Sequence, residues 1–429
     1  MRKTVVLVLF IGALLLAFSC DLFNGDNDGS IDIVNVTPRA LIASDGIDTA
    51  ARTAAVGAND FAFRLGADLI KNNDGKNFVF SPYSVWLPLA ALVNAAADEY
   101  KTALITALGA SGITEEDMNR AASRMLYDLT DERNQGSEGY HNPLKIANAI
   151  FVDKKYTLRR DFAQAYMDFY RGSSIGVDFT THDAVDAVNR WASRNTDGLI
   201  TDLIQEFDPA SVAAIANAIY FSDRWSWEFD AEETEEGLFY GPGGESSAFY
   251  MLHEGPNQSY YEDDKVQAIS LGFKHSAGMT IILPKTGGAE ALLSSMTNDY
   301  YTRIRGNFLR GEGKLLLPRF SIETDVEGLK DSLETLGVPL FEGGPITALI
   351  EEPYTQVLTD TIQRAVIKVD EKGTTAAAVT VLVMGNSASG PQPNVPFEMI
   401  CNRPFMFILS DYTNDGGSQV LFAGIVNQP

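Results

Sequence analysis

A nucleophilic serine needs a sharp turn to present it and a base to activate it, and one stretch has the right form. Gly172-Ser173-Ser174-Ile175-Gly176 fits G-x-S-x-G, which serves as a nucleophile elbow only between a strand and a following helix. Here the helical D-F-A-Q-A-Y-M-D-F-Y precedes it and the strand-like V-D-F follows. The order is reversed, so the match reads as chance. The four histidines, His141, His182, His253 and His275, form neither H-E-x-x-H nor a Cys/His cluster, which leaves zinc without a ligand set. No G-x-G-x-x-G or Walker loop occurs, so nucleotide chemistry has no support. Glu115-Glu116 and Glu232-Glu233 read as solvated faces. No cofactor or metal is expected, and nothing argues for an enzyme.

What the chain does offer is an uncharged stretch. From Gly373 to Phe397 there is no Asp, Glu, Lys or Arg, although 21% of the chain is charged. Its first half, G-T-T-A-A-A-V-T-V-L-V-M, has strand chemistry. Its second half, with Gly, Ser, Asn and three prolines, has loop chemistry. Strand period places Thr374, Ala376, Ala378, Thr380, Leu382 and Met384 on one face. Thr375, Ala377, Val379, Val381 and Val383 take the other. Such a segment is either a core strand with its exit turn or an exposed loop built to become a strand later.

The elements around that stretch follow from composition and pattern. The chain has 429 residues, 45% of them hydrophobic, ample for a large core. A formal charge of −24 repels nucleic acid and anionic polysaccharide. Met1-Arg2-Lys3 followed by fourteen apolar residues, Val5 to Phe18, reads as a signal peptide over 1–19 rather than a spanning helix. L-A-F-S-C resembles a bacterial lipobox, with Cys20 as the lipidated first residue of the mature chain; ordinary secretion is the blander alternative. Loss of Arg2 and Lys3 takes the charge to −26. Cys401 is then the one remaining cysteine and reads as structural. Residues 20–57, rich in Asp, Asn, Gly, Ser and Thr, read as a flexible acidic tether.

Order is expected to begin at 58, with a helix opened by Asn59 or Asp60 and carried by Phe61, Leu65 and Leu69. N-F-V-F follows as a strand. Ser81-Pro82 then caps a helical stretch broken once at Pro88 and running to Leu108. Asn148 to Val152 and Asn217 to Phe221 are near copies of one strand pattern and read as two strands of one sheet. Helices are expected at 160–170 and 183–196. From Ser246 onward strands dominate, and Asn414 to Gly417 turn the last two into a hairpin. The fold class is α+β, in one domain over 58–429.

Several motifs, in order, carry a family resemblance. V-D-E-K-G-T-T-A-A-A-V-T at 369–380 resembles the hinge of an inhibitory serpin, E-x-G-T-x-A-A-A-x-T. N-F-V-F-S-P-Y-S-V, N-R-W-A-S-R-N-T-D-G-L-I-T-D-L-I, N-A-I-Y-F-S-D-R-W and C-N-R-P-F-M-F-I-L resemble the family's other signatures. Together they cover about residues 59 to 428. The resemblance implies three β-sheets, eight to nine helices and an exposed reactive-centre loop. It implies a monomer that presents the loop as protease bait, forms a covalent acyl complex with a serine protease, and inserts the cut loop into its main sheet.

Residue roles carried over from the resemblance are as follows. Glu371, Gly373, Thr374, Thr375, Ala376, Ala377 and Ala378 match the hinge. Trp225 matches the breach tryptophan, where the loop enters the sheet. Ser81, Ser84 and Asn217 match the shutter cluster, whose histidine is here Gln363, a residue that bonds but does not titrate. Family spacing puts the bait bond at Ser387–Ala388, with Val383 and Met384 as alternatives because the loop is several residues long of the usual. No cation lies between Gly373 and Glu398, so an elastase-, subtilisin- or chymotrypsin-like target is expected rather than a trypsin-like one. The 112–130 segment lacks a basic stripe, so no heparin partner is expected. Export follows from the signal, with the chain either lipid-anchored at a bacterial envelope or secreted.

Overall fold

The computed structural model describes residues 34, 36–37, 39–41, 48–130, 143–275, 277–359, 361–374, 394–411 and 418–429. Among these are nine α-helices and sixteen strands. The first half holds α1 (Thr49–Leu69), β1 (Phe78–Phe80), α2 (Pro82–Leu92), α3 (Asp98–Ala107), α4 (Glu115–Leu129), β2 (Leu144–Asp153), α5 (Arg160–Tyr170), β3 (Gly172–Val177), α6 (His182–Asn195), β4 (Ala213–Phe221) and β5 (Asp223–Arg224). Then come β6 (Glu235–Gly241), β7 (Gly244–Glu262), β8 (Val266–Gly272), β9 (Ala277–Pro284), α7 (Gly288–Ser295), α8 (Asn298–Gly306), β10 (Leu309–Pro318), β11 (Phe320–Asp325) and α9 (Leu329–Thr335). The chain ends with β12 (Arg364–Asp370), β13 (Gly373–Thr374), β14 (Val395–Ile400), β15 (Phe405–Asp411) and β16 (Val420–Val426).

The strands form three sheets. The largest runs β1-β16-β15-β9-β8-β7-β10-β14, with β6 beside β7. Its central strands β9, β15 and β16 are buried along their whole length, as their unbroken apolar runs require. The other two sheets are β3-β2-β4 and β11-β12-β13-β5. Since β5 prolongs β4 after Ser222, the two small sheets are halves of one surface joined only at the β5–β13 end. Among the described residues no ladder joins β4 to β12. The main core lies between these halves and helices α1, α2 and α4, while a second cluster of Phe151, Val188, Trp191 and Ile200 fills the space under α6.

Two boundaries differ from the sequence reading. The first helix begins at Thr49, not at 59–60, so residues 49–57 are helix rather than tether. Asp48 caps it by accepting from the amides of Ala50 and Ala51 at 2.9 and 3.1 Å. Its early face is small rather than apolar. Ala51, Ala54 and Ala58 are buried, and a side chain at Gly57 would stand 2.4 Å from the Gly109 carbonyl. Small-residue packing leaves no periodic large apolar signal. Val34, Val36 and Leu41 also pack on the core. The second difference is that Pro88 sits inside α2 and the break comes after Leu92. There the chain leaves the helix to pair Ala96 with Ile346, and Ala97 donates to the Pro345 carbonyl at 2.7 Å. Helices 160–170 and 182–195 and the late strands stand where expected. Asn414 to Gly417 lie outside the described residues.

Candidate functional site

The site is the slot between β4 and β12. Two strand edges facing each other without a ladder leave main-chain donors and acceptors that a further strand would satisfy. The slot has a volume of about 610 Å³. Its floor is α2, through Ser84, Val85, Pro88 and Leu89, and its roof is the α6–β4 connection, through Ile200, Leu203 and Phe207. On β12, Ala365, Ile367 and Val369 are buried toward the main core, and Val366 packs on the cluster under α6. The slot is therefore one strand wide, apolar on both faces, and closed at one end.

That closed end is β13. Gly373 and Thr374 are hydrogen-bonded into the slot's mouth, antiparallel to β12 on one side (Val369 opposite Thr374) and to β5 on the other (Asp223 opposite Thr374). Gly373 has φ +147°, and a Cβ there would stand 2.1 Å from the Asp223 carbonyl oxygen, so the position needs glycine. Thr374 is buried and its Oγ1 has no hydrogen-bond partner. Thr375, Ala376, Ala377 and Ala378 lie outside the described residues, as do Val383, Met384, Ser387, Ala388 and Cys20.

The turn into β13 is pinned by side chains from three elements. Glu371 is buried and accepts from Arg319 Nε and from Thr234 Oγ1, each at 2.6 Å. Burial alone would raise its pKa, but these two partners outweigh burial and hold the carboxyl below its usual value. The backbone of segment 225–229 clamps the same turn. The amides of Trp225 and Phe229 donate to the carbonyls of Lys372 and Glu371 at 2.9 and 3.0 Å. Trp225 also donates its indole N–H to the Asp370 carbonyl at 2.9 Å. Its ring stacks on Phe273 with centroids 4.3 Å apart and is 1% exposed. Trp225 thus joins the turn before β13 to the core, through its stacked face and its indole N–H.

At mid-slot the polar residues fall into two groups. Gln363 and Ser81 pair: the Ser81 amide donates to Gln363 Oε1 at 3.1 Å, and Gln363 Nε2 donates to the Ser81 carbonyl at 2.7 Å. Ser81 Oγ donates onward to the Leu421 carbonyl at 2.7 Å. Asn217 belongs to the opposite wall, where its amide donates to Asn148 Oδ1 at 2.7 Å. Asn148 in turn donates to the Tyr170 carbonyl. Ser84 lines the slot between them. The structure therefore brings Ser81 and Gln363 together and leaves Asn217 paired elsewhere. Asn148 was not singled out from the sequence, though the duplicated N-A-I pattern held the signal: Asn148 and Asn217 are direct register partners.

Other candidate chemistry stands apart from the slot. Ser173 and Ser174 are residues of β3, which follows α5 directly and pairs parallel to β2; neither sits on a strand-to-helix turn. Cys401 is fully buried, and burial pushes its thiol pKa well above the ordinary value, which makes it inert. Among the described residues no group of three or more His, Cys, Asp and Glu could hold a metal, and no helix is long and apolar enough to cross a membrane.

Comparison with known proteins agrees with this geometry. The profile of the serpin (serine protease inhibitor) family matches residues 56–429. A serpin-like protein of Thermococcus kodakarensis is 30% identical over 390 residues, spanning 86% of this chain and 84% of its own length. Plasma serine protease inhibitor of Mus musculus is 26% identical over 376 residues, 87% of this chain and 90% of its own. Among solved structures, the native thermophilic serpin tengpin superposes with a TM-score of 0.77 at 22% identity, covering 93% of this chain and all of that one. Human thyroxine-binding globulin superposes at 0.73 and 23% identity, covering 89% of this chain and all of that one. On profile, relatives and fold together, the chain belongs to the serpin family, whose members are in the main protease inhibitors.

Proposed function

We propose that the chain is an irreversible suicide-substrate inhibitor of elastase-, subtilisin- or chymotrypsin-like serine proteases. The observation that carries this reading is the single-strand slot, unbridged among the described residues, whose mouth is occupied by the first two residues of the uncharged stretch. Continuing the β13 register pairs Ala376 with Ile367 and Phe221, Ala378 with Ala365 and Ile219, and Thr380 with Gln363 and Asn217. On that register Thr374, Ala376, Ala378 and Thr380 share the core-facing side, and their size suits the wall residues opposite. A charge at any of them would be buried unpaired, which costs several kcal/mol.

In this scheme the protease serine attacks the carbonyl carbon of Ser387. The Ser387–Ala388 peptide bond breaks, Ala388 leaves as a protonated amine, and Ser387 remains esterified to the enzyme. With the bond cut, residues from Thr375 onward are released from their carboxyl-terminal tether and enter the slot, carrying the acylated protease with them. Gly373 acts as hinge, Trp225 and Glu371 hold the entry, and Ser81 and Gln363 define the mid-slot shutter. Cleavage after Val383 or Met384 would follow the same course with a shorter inserted strand. The signal and Cys20 support export and a lipid tether to a membrane, with residues 58–429 acting as a monomeric inhibitory domain.

The test is incubation with a panel of serine proteases followed by denaturing electrophoresis and mass spectrometry of any stable adduct. An adduct with elastase, subtilisin or chymotrypsin, cleaved within 383–388, is expected. A stable adduct with trypsin and none with these three would overturn the specificity. Clean cleavage with no adduct by any protease would instead favour a non-inhibitory binding protein.

A further inference from the structure

A strand that enters the slot must pass beneath its roof, and one ion pair ties that roof down across the gap. Asp202 lies in the α6–β4 connection, residues 196–212. This connection belongs to the β3-β2-β4 half. Ile204 exchanges two hydrogen bonds with the Asn189 side chain of α6, at 2.8 and 3.0 Å, and Ile200 is buried among Phe151, Trp191 and Ala216. Arg364 opens β12, on the other half. Its guanidinium faces two ways. Nε and Nη2 hold Asp325 of the adjacent strand β11 at 2.5 and 2.9 Å, with Glu323 Oε1 of the same strand 3.8 Å from Nη1, while Nη1 reaches over the slot to Asp202 Oδ1. The Arg364 side chain is 15% exposed although Asp202 is 55% exposed, so the cation is largely sheltered while its partner stands in solvent. Among the described residues this is the one ion pair between the α6–β4 connection and β12.

The register makes the position specific. Arg364 lies on the side of β12 that faces the roof, as does Val366. Continuing β13 along β12 brings Val379 opposite Arg364. On that register the pair crosses the slot at the point where an incoming strand would turn from alanine to the branched Val379 and Val381, whose side chains would then face the roof. Inserted valines and a stapled roof would compete for the same space.

From this juxtaposition we propose that the Asp202–Arg364 pair is a latch that sets the rate at which a strand enters the slot. The proposal rests on the insertion reading above. Asp202 and Arg364 are positioning residues: they hold the roof and touch neither the scissile bond nor the protease. Opening the latch leaves Arg364 still paired with Asp325, so the half-sheet β11-β12 keeps its structure while the roof is freed.

The experiment follows uptake of a synthetic peptide of residues 374–384 by the full exported chain, read as a shift on native electrophoresis, in parallel with adduct formation. The Asp202→Asn chain is expected to take up peptide about two- to five-fold faster than wild type, the span that one partly exposed ion pair allows. Asp325→Asn, which cuts only the pair within one half-sheet, is expected to leave the rate unchanged. Raising salt should speed wild type toward the Asp202→Asn rate and leave the variant's rate flat, because screening removes the same charge contact; a merely structural role for Asp202 would not give that convergence. If wild type takes up peptide and Asp202→Asn does so at the same rate and with the same salt response, the latch is overturned while the insertion reading stands. If wild type takes up no peptide and forms no adduct, both fall.

Discussion

Gln363 occupies the slot's midpoint and answers two main-chain groups at once, accepting from the Ser81 amide and donating to its carbonyl. Both groups are buried at the amino end of α2, where helix geometry leaves amides without internal partners. Replacing Gln363 by Ala would leave the Ser81 amide unsatisfied and take one of two bonds from its carbonyl, which as the helix cap also accepts from the first turn; we expect a loss of about 1–3 kcal/mol, read as a lowered midpoint in thermal or denaturant unfolding. Gln363→His keeps a donor and an acceptor but adds a titratable ring; its midpoint at pH 8 should lie closer to wild type than that of Gln363→Ala. A Gln363→Ala chain with an unchanged midpoint would remove Gln363 from any structural role. At this scale the sequence was informative where a motif named the residue, as with Gly373, Trp225, Ser81 and Gln363. It was silent where a partner comes from distant chain. Arg319 and Thr234 on Glu371, and Asp202 on Arg364, are surface-type residues whose meaning arises only from the fold.

At the scale of elements, the segment Trp225–Phe229 clamps the turn before β13 with two amides and an indole. Its outer side rests on His253 of β7. Trp227 and Phe229 meet the imidazole edge-on, with centroids 6.1 and 5.7 Å away. Burial lowers the pKa of His253 below its ordinary 6.5. The unfolded chain therefore binds a proton at a higher pH than the folded one. The stability linked to this group is fully present above about pH 6.5 and is lost as pH falls toward the folded value. Thermal midpoints measured from pH 7.5 to 5 should drop for wild type and drop less for His253→Gln. Identical slopes would mean that other groups govern the acid response. Strand and helix positions were largely legible because period and length marked them, as for α5, α6, β9 and β16. What escaped was an element held by small residues, the first turns of α1, and one ended by a tertiary contact, the stop after Leu92.

For the molecule as a whole, the proposed function requires that folding stop short of the best pairing available to the sequence, since among the described residues no ladder joins β4 to β12. Strand edges β4 and β12 read from sequence alone as ordinary members of one sheet, because V-I-K-V and A-I-Y-F look the same whether paired or waiting. Only the fold shows that two half-sheets meet at β13 and nowhere else among the described residues. Filling the slot with about twelve residues would add on the order of a dozen main-chain hydrogen bonds at roughly 1 kcal/mol each, comparable to the ~5–15 kcal/mol that holds an ordinary domain folded. A chain nicked once in the loop, within 383–388, should therefore melt well above the intact chain, by about 10 °C or more. Gly373→Ala should lower the midpoints of both the intact and the nicked chain, since its Cβ would collide with the Asp223 carbonyl beside which β13 is already paired before the nick. Differential scanning calorimetry of intact and nicked chains decides the matter. A nicked wild-type chain that melts with the intact one has left its loop outside, and its slot then serves something other than protease capture.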